Sequence, residues 1–255
     1  MRLDAYLARV GLNGRPALAE LHRAHATTIP FENLDPRRGR PVSLALEDLQ
    51  DKLVDRRRGG YCFEHNVLLA AAMRELGAEV EPMLARVRHS VPPTAYAERP
   101  RSHLVLRVRD GAGEWHADVG FGRGTLLEPI PFGVGGPYDQ GGWQFRVVSD
   151  GDELVLQSFE EGEWVDNYAF LPRPVPFVDL ETSSWFTCTH PSSPFVTGLV
   201  VCAQSTDGVR TTLSDWSGEL LLAAATPAGI TRAGVAADEL ARLLVDRFGL
   251  PAELS

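Results

Sequence analysis

A chain of 255 residues, 44% of them hydrophobic, can bury a sizeable core as one large domain or two to three small ones. A net charge of −9 argues against a nucleic-acid partner or an anionic membrane surface. Three cysteines without regular spacing point to neither a disulfide framework nor a zinc site, and no apolar run of about 18 residues predicts a membrane span.

The first stretch, "MRLDAYLARVGLNGRP", lacks the long apolar core of a signal peptide, so a cytoplasmic protein is expected. Lys52 stands alone against 24 arginines, a bias that suggests a GC-rich bacterial coding sequence. Residues 1–85 read as helical. "PALAELHRAHATTI" opens on Pro16, which suits a first helical turn, and sets Leu18, Leu21 and Ala24 or His25 on one stripe. "SLALEDLQDKLVDRR" has Ser43 as N-cap, with Leu46, Leu49 and Leu53 on one face. "CFEHNVLLAAAMRELG" follows two glycines and ends at Gly77, a C′ residue. "TIPFENLDPRRGRP" has turn residues and no period.

From about residue 80 the hydrophobic period becomes two. "EPMLARVRHS", "SHLVLRVRD", "EWHADVGFG", "GGWQFRVVSD", "DELVLQSFE" and "EWVDNYAFL" are short, β-rich and separated by Gly/Asp turns, as in a small antiparallel barrel or sandwich. "LPRPVPFVDLETSSW", with three prolines, reads as a connector. "FVTGLVVCAQST", "VRTTLS" and "ELLLAAA" read as strands, and "AADELARLLVDRFG" as a final amphipathic helix.

Chemistry concentrates at "RGGYCFEHN", residues 58–66. A thiol attacks as the thiolate, and a helix N-terminus favours the anion through unpaired N–H groups and the helix dipole. Cys62 sits where Gly59 and Gly60 allow a tight entry into a helix, and is therefore a candidate nucleophile; a buried structural cysteine is the plain alternative. A thiolate needs a base. "SHLVLRVRDGAGEWHADVGF" reads as a hairpin turning in "DGAG". His103 and Asp118 then share a face, directly opposed in one register and one diagonal step apart in the other, where a carboxylate fixes the imidazole tautomer. His116 and His65 are rival bases, the first sharing the face of Asp118 and the second on the nucleophile's own helix.

The blocks "TIPFENLD", "RRRGGYCFEHN", "SHLVLRV", "DVGFG" and "WFTCTHPSSPFV", in that order over nearly the whole chain, resemble the arylamine N-acetyltransferase family. The resemblance implies an α+β fold of three parts: a helical bundle over residues 1–85 with the nucleophile, an antiparallel β-barrel over 86–188 with His and Asp, and an α/β lid over 189–255. It implies a catalytic triad of Cys62, His103 and Asp118. It also implies ping-pong transfer of an acetyl group from acetyl-CoA, through a cysteine thioester, to an aromatic amine or hydrazine. No metal and no permanently bound cofactor are called for. Phe31, Phe121 and Phe195 match aromatics that line the acyl and amine pocket; Ser102, Gly122 and Gly124 match positions near the coenzyme A arm. The pattern departs at His65, where many members carry glutamine, and at Cys188, where serine is usual; both bear on acceptor preference. The expected partners are small molecules, with no nucleic acid or membrane, on a monomer or homodimer. The competing readings are an amide synthase acting on a polyketide-type acyl thioester, a thiol hydrolase using water, and a binding module without a reactive Cys62.

Overall fold

The computed structural model describes residues 1–252. In chain order it begins with α1 (Leu3–Arg9), α2 (Leu18–Thr28), a two-residue strand β1 (Phe31–Glu32), α3 (Leu34–Arg37), α4 (Leu46–Leu49), whose coil widens over residues 50–55, and α5 (Cys62–Glu75). The strands β2 (Glu79–Val87), β3 (His103–Asp110), β4 (Gly113–Ala117), β5 (Ile130–Pro131), β6 (Gly135–Gln140), β7 (Trp143–Asp150), β8 (Glu153–Glu160) and β9 (Glu163–Phe170) follow. Then come α6 (Phe177–Thr189), α7 (Pro194–Thr197), β10 (Val200–Gln204), β11 (Arg210–Ser214), β12 (Leu221–Thr226), β13 (Gly229–Gly234) and α8 (Leu240–Asp246). The mixed α+β fold expected from the sequence is the one observed.

Strands β2 to β9 form one antiparallel sheet in the order β5-β4-β3-β2-β9-β8-β7-β6, nearly closed on itself around Met83, Val105, Phe145, Leu156, Tyr168 and Phe170. Period-2 alternation in the sequence therefore reports a curled sheet with a filled interior. A second antiparallel sheet has the order β1-β10-β11-β12-β13. Its first strand comes from the helical part of the chain: Phe31 lies opposite Cys202 and Glu32 opposite Val201. Among the described residues no helix is long and apolar enough to cross a membrane.

Helix α5 is central. Ten of its fourteen residues are buried, so it carries no single apolar stripe; a helix hydrophobic on most sides belongs inside a fold. The Glu64 carboxylate accepts the Tyr61 N–H at 3.0 Å across its first turn, and Gly77, at φ +96°, ends it. On one side α5 packs against Leu104, Leu106 and Val108 of β3 and Ala117 and Val119 in and after β4.

The sequence reading is corrected in six places. Ser43, expected as an N-cap, accepts the N–H of Ala45, which is the N-cap of α4. Residues 195–197, expected to begin a strand, belong to α7. Residues 177–189, expected inside a connector, form the thirteen-residue α6; the prolines at 172, 174 and 176 all precede it, and Pro176 stands at its N-cap. Helix α1 was not read as a separate element, although Tyr6, Leu7 and Val10 bury one face of it. The stretch 28–41, read as turn, supplies β1 and α3. Strands β6 and β13 were missed: the first is rich in glycine, and the second is largely exposed and so lacks an alternating burial pattern.

Candidate active site

Two short blocks are locked together beneath the N-terminus of α5. Arg58 donates to Glu32 at 2.8 Å and to Asp35 at 2.9 Å. Lys52 lies 2.8 Å from Asp35 and 2.7 Å from Glu64. All five residues are buried. Two cations and three carboxylates thus tie "PFENLD" to "RGGYCFE". Breaking such a buried pair leaves an uncompensated charge, so the arrangement is stringent about residue type. Its effect is to fix the backbone that presents Cys62.

Cys62, 3% exposed, opens α5, with its Sγ 3.7 Å from the carbonyl oxygen of Ser102. First-turn N–H groups have no helical acceptor and favour negative charge beside them. Gly120 lies against the same residue: a Cβ there would stand 2.7 Å from the Cys62 Cα, so only glycine lets the "DVGFG" turn press onto the Cys62 backbone.

The hairpin adopts the second of the two registers considered, with Asp110 opposite Gly113 and Leu106 opposite Ala117. The Asp110 carboxylate accepts the Ala112 and Gly113 N–H groups and builds the turn. Asp118 falls just past β4, one diagonal step from His103 at the start of β3. His103 Nε2 and Asp118 Oδ2 are 2.7 Å apart, both side chains buried. Asp118 Oδ1 accepts from Asn66 Nδ2 at 2.9 Å and from the Gly120 N–H at 2.8 Å. Asn66 also donates to the Leu104 carbonyl and accepts the Val119 N–H, so it clips α5 to both hairpin strands. His22 completes the support: its Nε2 accepts the Asp118 backbone N–H at 3.1 Å, which leaves Nδ1 as the donor to the Leu127 carbonyl.

These contacts set the charges. Burial opposes ionisation of Asp118, but the His103 imidazolium and the Asn66 and Gly120 donors more than offset it, and the carboxyl lies well below its usual range. Burial likewise opposes a charge on His103, yet Asp118, with Cys62 as a further hydrogen-bond partner, pushes the imidazole up to about 10. With Nε2 committed to Asp118, the other ring nitrogen is the one left for the thiol. The arrangement can hold a thiolate–imidazolium pair in a dry site.

The rival histidines are engaged elsewhere. His116 Nε2 pairs with the Tyr168 hydroxyl at 2.8 Å. His65 belongs to a buried chain from the Tyr6 hydroxyl to His25 Nδ1 (2.7 Å), from His25 Nε2 to His65 Nδ1 (2.9 Å) and from His65 Nε2 to the Pro30 carbonyl (3.2 Å). Burial pushes His65 down to about 4, so this chain is neutral near pH 7. Glutamine has a donor and an acceptor to serve the same two neighbours. His65→Gln is therefore expected to change kcat/KM by less than about tenfold in steady-state assays with several amines. A loss as large as that from His103→Gln would move the base to His65.

The remaining expected residues spread around this centre. Phe121 meets His103 edge-on at 5.0 Å. Phe31 is buried, stacked on His65 and 6.0 Å from Phe195, which also contacts Tyr61. The Ser102 carbonyl faces the thiol. Gly122, at φ +60°, and Gly124 lie in the turn after Phe121; a Cβ at Gly124 would sit 2.6 Å from the Phe121 ring. The two other thiols are removed from this chemistry. Cys188 is buried against the Trp185 carbonyl and Cys202 against Thr212, and burial raises both, Cys202 to about 11. Iodoacetamide at pH 6.5 should accordingly alkylate Cys62 about tenfold or more faster than either, as read by peptide mass spectrometry; equal rates would remove Cys62 as the activated thiol.

Sequence reasoning missed His22, Asn66 and Tyr168. For Asn66 a signal existed: it lies four residues after Cys62, on the same side of the helix. His22 acts through a backbone N–H 96 positions away, for which sequence carries no signal. Among the described residues no group of three or more His, Cys, Asp or Glu is arranged to hold a metal ion.

A family model described as N-acetyltransferase matches residues 16–255. An arylamine N-acetyltransferase of Mycolicibacterium smegmatis is 46% identical over 215 residues, 81% of this chain and 78% of that protein. One of Escherichia coli (strain K12) is 36% identical over 219 residues, 84% of this chain and 77% of that protein. Among solved structures, the Mycobacterium marinum arylamine N-acetyltransferase in complex with CoA superposes with a TM-score of 0.92 at 38% identity, covering 99% of this chain and 94% of that one.

Proposed function

Because the chain belongs to the arylamine N-acetyltransferase family, we propose that Cys62, His103 and Asp118 are the triad through which it carries an acetyl group from acetyl-CoA to an aromatic amine or hydrazine. The protein is an acyltransferase, and the observation that supports the triad is the 2.7 Å contact of His103 with a buried, deprotonated Asp118 beside the Cys62 thiol.

The reaction runs in two halves. His103 holds the proton of Cys62, and the thiolate adds to the thioester carbonyl of acetyl-CoA. First-turn N–H groups of α5 supply the donors for the oxyanion. Collapse breaks the carbon–sulfur bond to coenzyme A, which leaves as a thiol with the proton from His103, and the acetyl group remains on Cys62. An aromatic amine, weakly basic and uncharged near pH 7, then adds to the acetyl-enzyme. His103 takes its proton as base and returns it to the departing Cys62 sulfur. Asp118 keeps the imidazole in the required tautomer throughout. Phe31, Phe121 and Phe195 offer flat apolar surface to the aromatic ring, and Ser102, Gly122 and Gly124 border the path of the donor's arm. The reaction takes place in the cytoplasm.

The amide synthase and hydrolase readings are not favoured, since the similar curated proteins named above are arylamine N-acetyltransferases. Intact-protein mass spectrometry after mixing with acetyl-CoA tests the reading. One acetyl group is expected on Cys62, stable in buffer and discharged by an aromatic amine with formation of the amide. Discharge by water alone at the same rate would make the protein a hydrolase. Acylation by a bulky aryl or polyketide thioester mimic but not by acetyl-CoA would make it an amide synthase.

A further inference from the structure

Arg210, at the start of β11, is 2% exposed, yet among the described residues it meets no carboxylate at ion-pair distance. Its guanidinium reaches from the second sheet to β7 of the barrel and lies over the Trp143 ring, 3.9 Å from the ring centroid, with Phe145 at 5.4 Å. One nitrogen donates to the Thr125 carbonyl at 3.3 Å, and its Nε has no hydrogen-bond partner among the described residues. Burial lowers its pKa to about 9, which still leaves it charged near pH 7. A buried charge is ordinarily paired. The unpaired one here borders a cavity of about 140 Å³ between the β8–β9 turn and the β12–β13 hairpin, lined also by Arg123, Trp143, Glu160 and Ile230. Glu160 is the acid nearest in effect to Arg210, but Arg123 at 3.2 Å and the Ser158 hydroxyl at 2.8 Å engage its two oxygens. Glu161, also on the lining, is an exposed turn residue.

We infer that this cavity is a phosphate-binding subsite, with Arg210 as its central donor and Arg123 on its wall. A phosphate ester or pyrophosphate supplies planar pairs of oxygens that match a guanidinium fork, and the rings beneath Arg210 hold that fork in place. The position suits the acyl donor. The cavity adjoins the turn Gly122–Thr125: Arg123 belongs to it, Arg210 donates to Thr125, and Phe121 at its start touches His103. A donor whose arm passes Gly122 and Gly124 would carry its phosphates to this side. The assignment of the donor rests on the function proposed above, whereas the anion site rests on Arg210.

Calorimetric titration of the wild-type protein with inorganic pyrophosphate at low ionic strength tests it. One site is expected, weakened about tenfold or more in Arg210→Met. Arg123→Gln, expected to weaken binding severalfold, serves if the first variant does not fold. The source of the phosphate is read by following acylation of Cys62 from two thioesters in the presence of pyrophosphate: acetyl-CoA, and S-acetyl-N-acetylcysteamine, which has no phosphate. Slowing of the first alone identifies the site with the donor's phosphates. Slowing of neither, with titration still lost in the variant, assigns the site to a separate phosphate ligand. No binding to the wild type, or equal binding to wild type and both variants, overturns the inference. If neither thioester acylates Cys62, the proposed function fails, and the titration still reports on the site.

Discussion

Asp118→Asn is expected to lower kcat/KM for acetyl transfer by about four orders of magnitude, by analogy with the aspartate of other triads. The hydrogen bonds give the reason. Asp118 Oδ1 takes two donors, from Asn66 and Gly120, so an asparagine would keep its carbonyl oxygen there. Its NH2 group would then face His103 Nε2, donor against donor. The imidazole escapes by moving its proton to the ring nitrogen that should receive the proton of Cys62, and the base becomes a donor. Charge stabilisation of the imidazolium disappears as well. The measurement is steady-state acetylation of an aromatic amine by variant protein whose circular dichroism matches the wild type. The alkylation of Cys62 by iodoacetamide should slow in parallel. Retention of more than about a tenth of the activity in a folded variant would remove Asp118 from the mechanism.

Acid should unfold the protein well above the pH at which carboxylates titrate. Burial pushes His22, His65 and His116 each down to about 4. Their folded values are depressed, so the unfolded chain binds protons first; the stability linked to each is intact above about pH 6.5 and is lost as the pH falls to about 4. Each shift corresponds to about 3 kcal/mol, and the three together to roughly 10 kcal/mol, comparable with the whole margin of a typical domain. His103 runs the other way: its folded value is raised to about 10, so its contribution is complete below about pH 6.5 and is lost as the pH climbs toward 10. Asp118, held low, stays ionised across the acid window. Stability should therefore peak near neutrality, with Tm falling by about 10 °C or more between pH 7.5 and pH 5 in thermal melts. A level Tm over that range would mean that the three imidazoles are not held neutral in the folded chain.

The sequence made the chemistry more legible than the supports. Cys62 was visible as a thiol behind two glycines, and the His103–Asp118 pair as two residues sharing a hairpin face whichever register held. Both arguments are local, spanning a helix start or one hairpin. Strand alternation identified the barrel for the same reason. What stayed hidden is non-local. The role of His22 depends on a contact 96 positions away, and His65 was a rival base until its bond to His25 was seen. Arg210 reads as an ordinary strand residue until Trp143 is found beneath it. Helix α6 escaped because its aromatic and hydroxyl-bearing residues have weak helical propensity and a run of prolines precedes it.

Strand β1 carries a consequence for biogenesis. On one edge Phe31 bridges Gly60 and the Glu32 N–H donates to the Gly60 carbonyl, but on the other Phe31 and Glu32 find their β partners in residues 202 and 201, so that edge waits for nearly four-fifths of the polypeptide to be synthesised. While the ribosome is still extending the barrel, the segment beside the nascent thiol has an open edge and the Phe31 ring lacks Cys202 and Phe195 as neighbours. A chain released early, by a nonsense codon between residues 119 and 200, would contain Cys62, His103 and Asp118 and still lack the strand that pairs with β1 beside them.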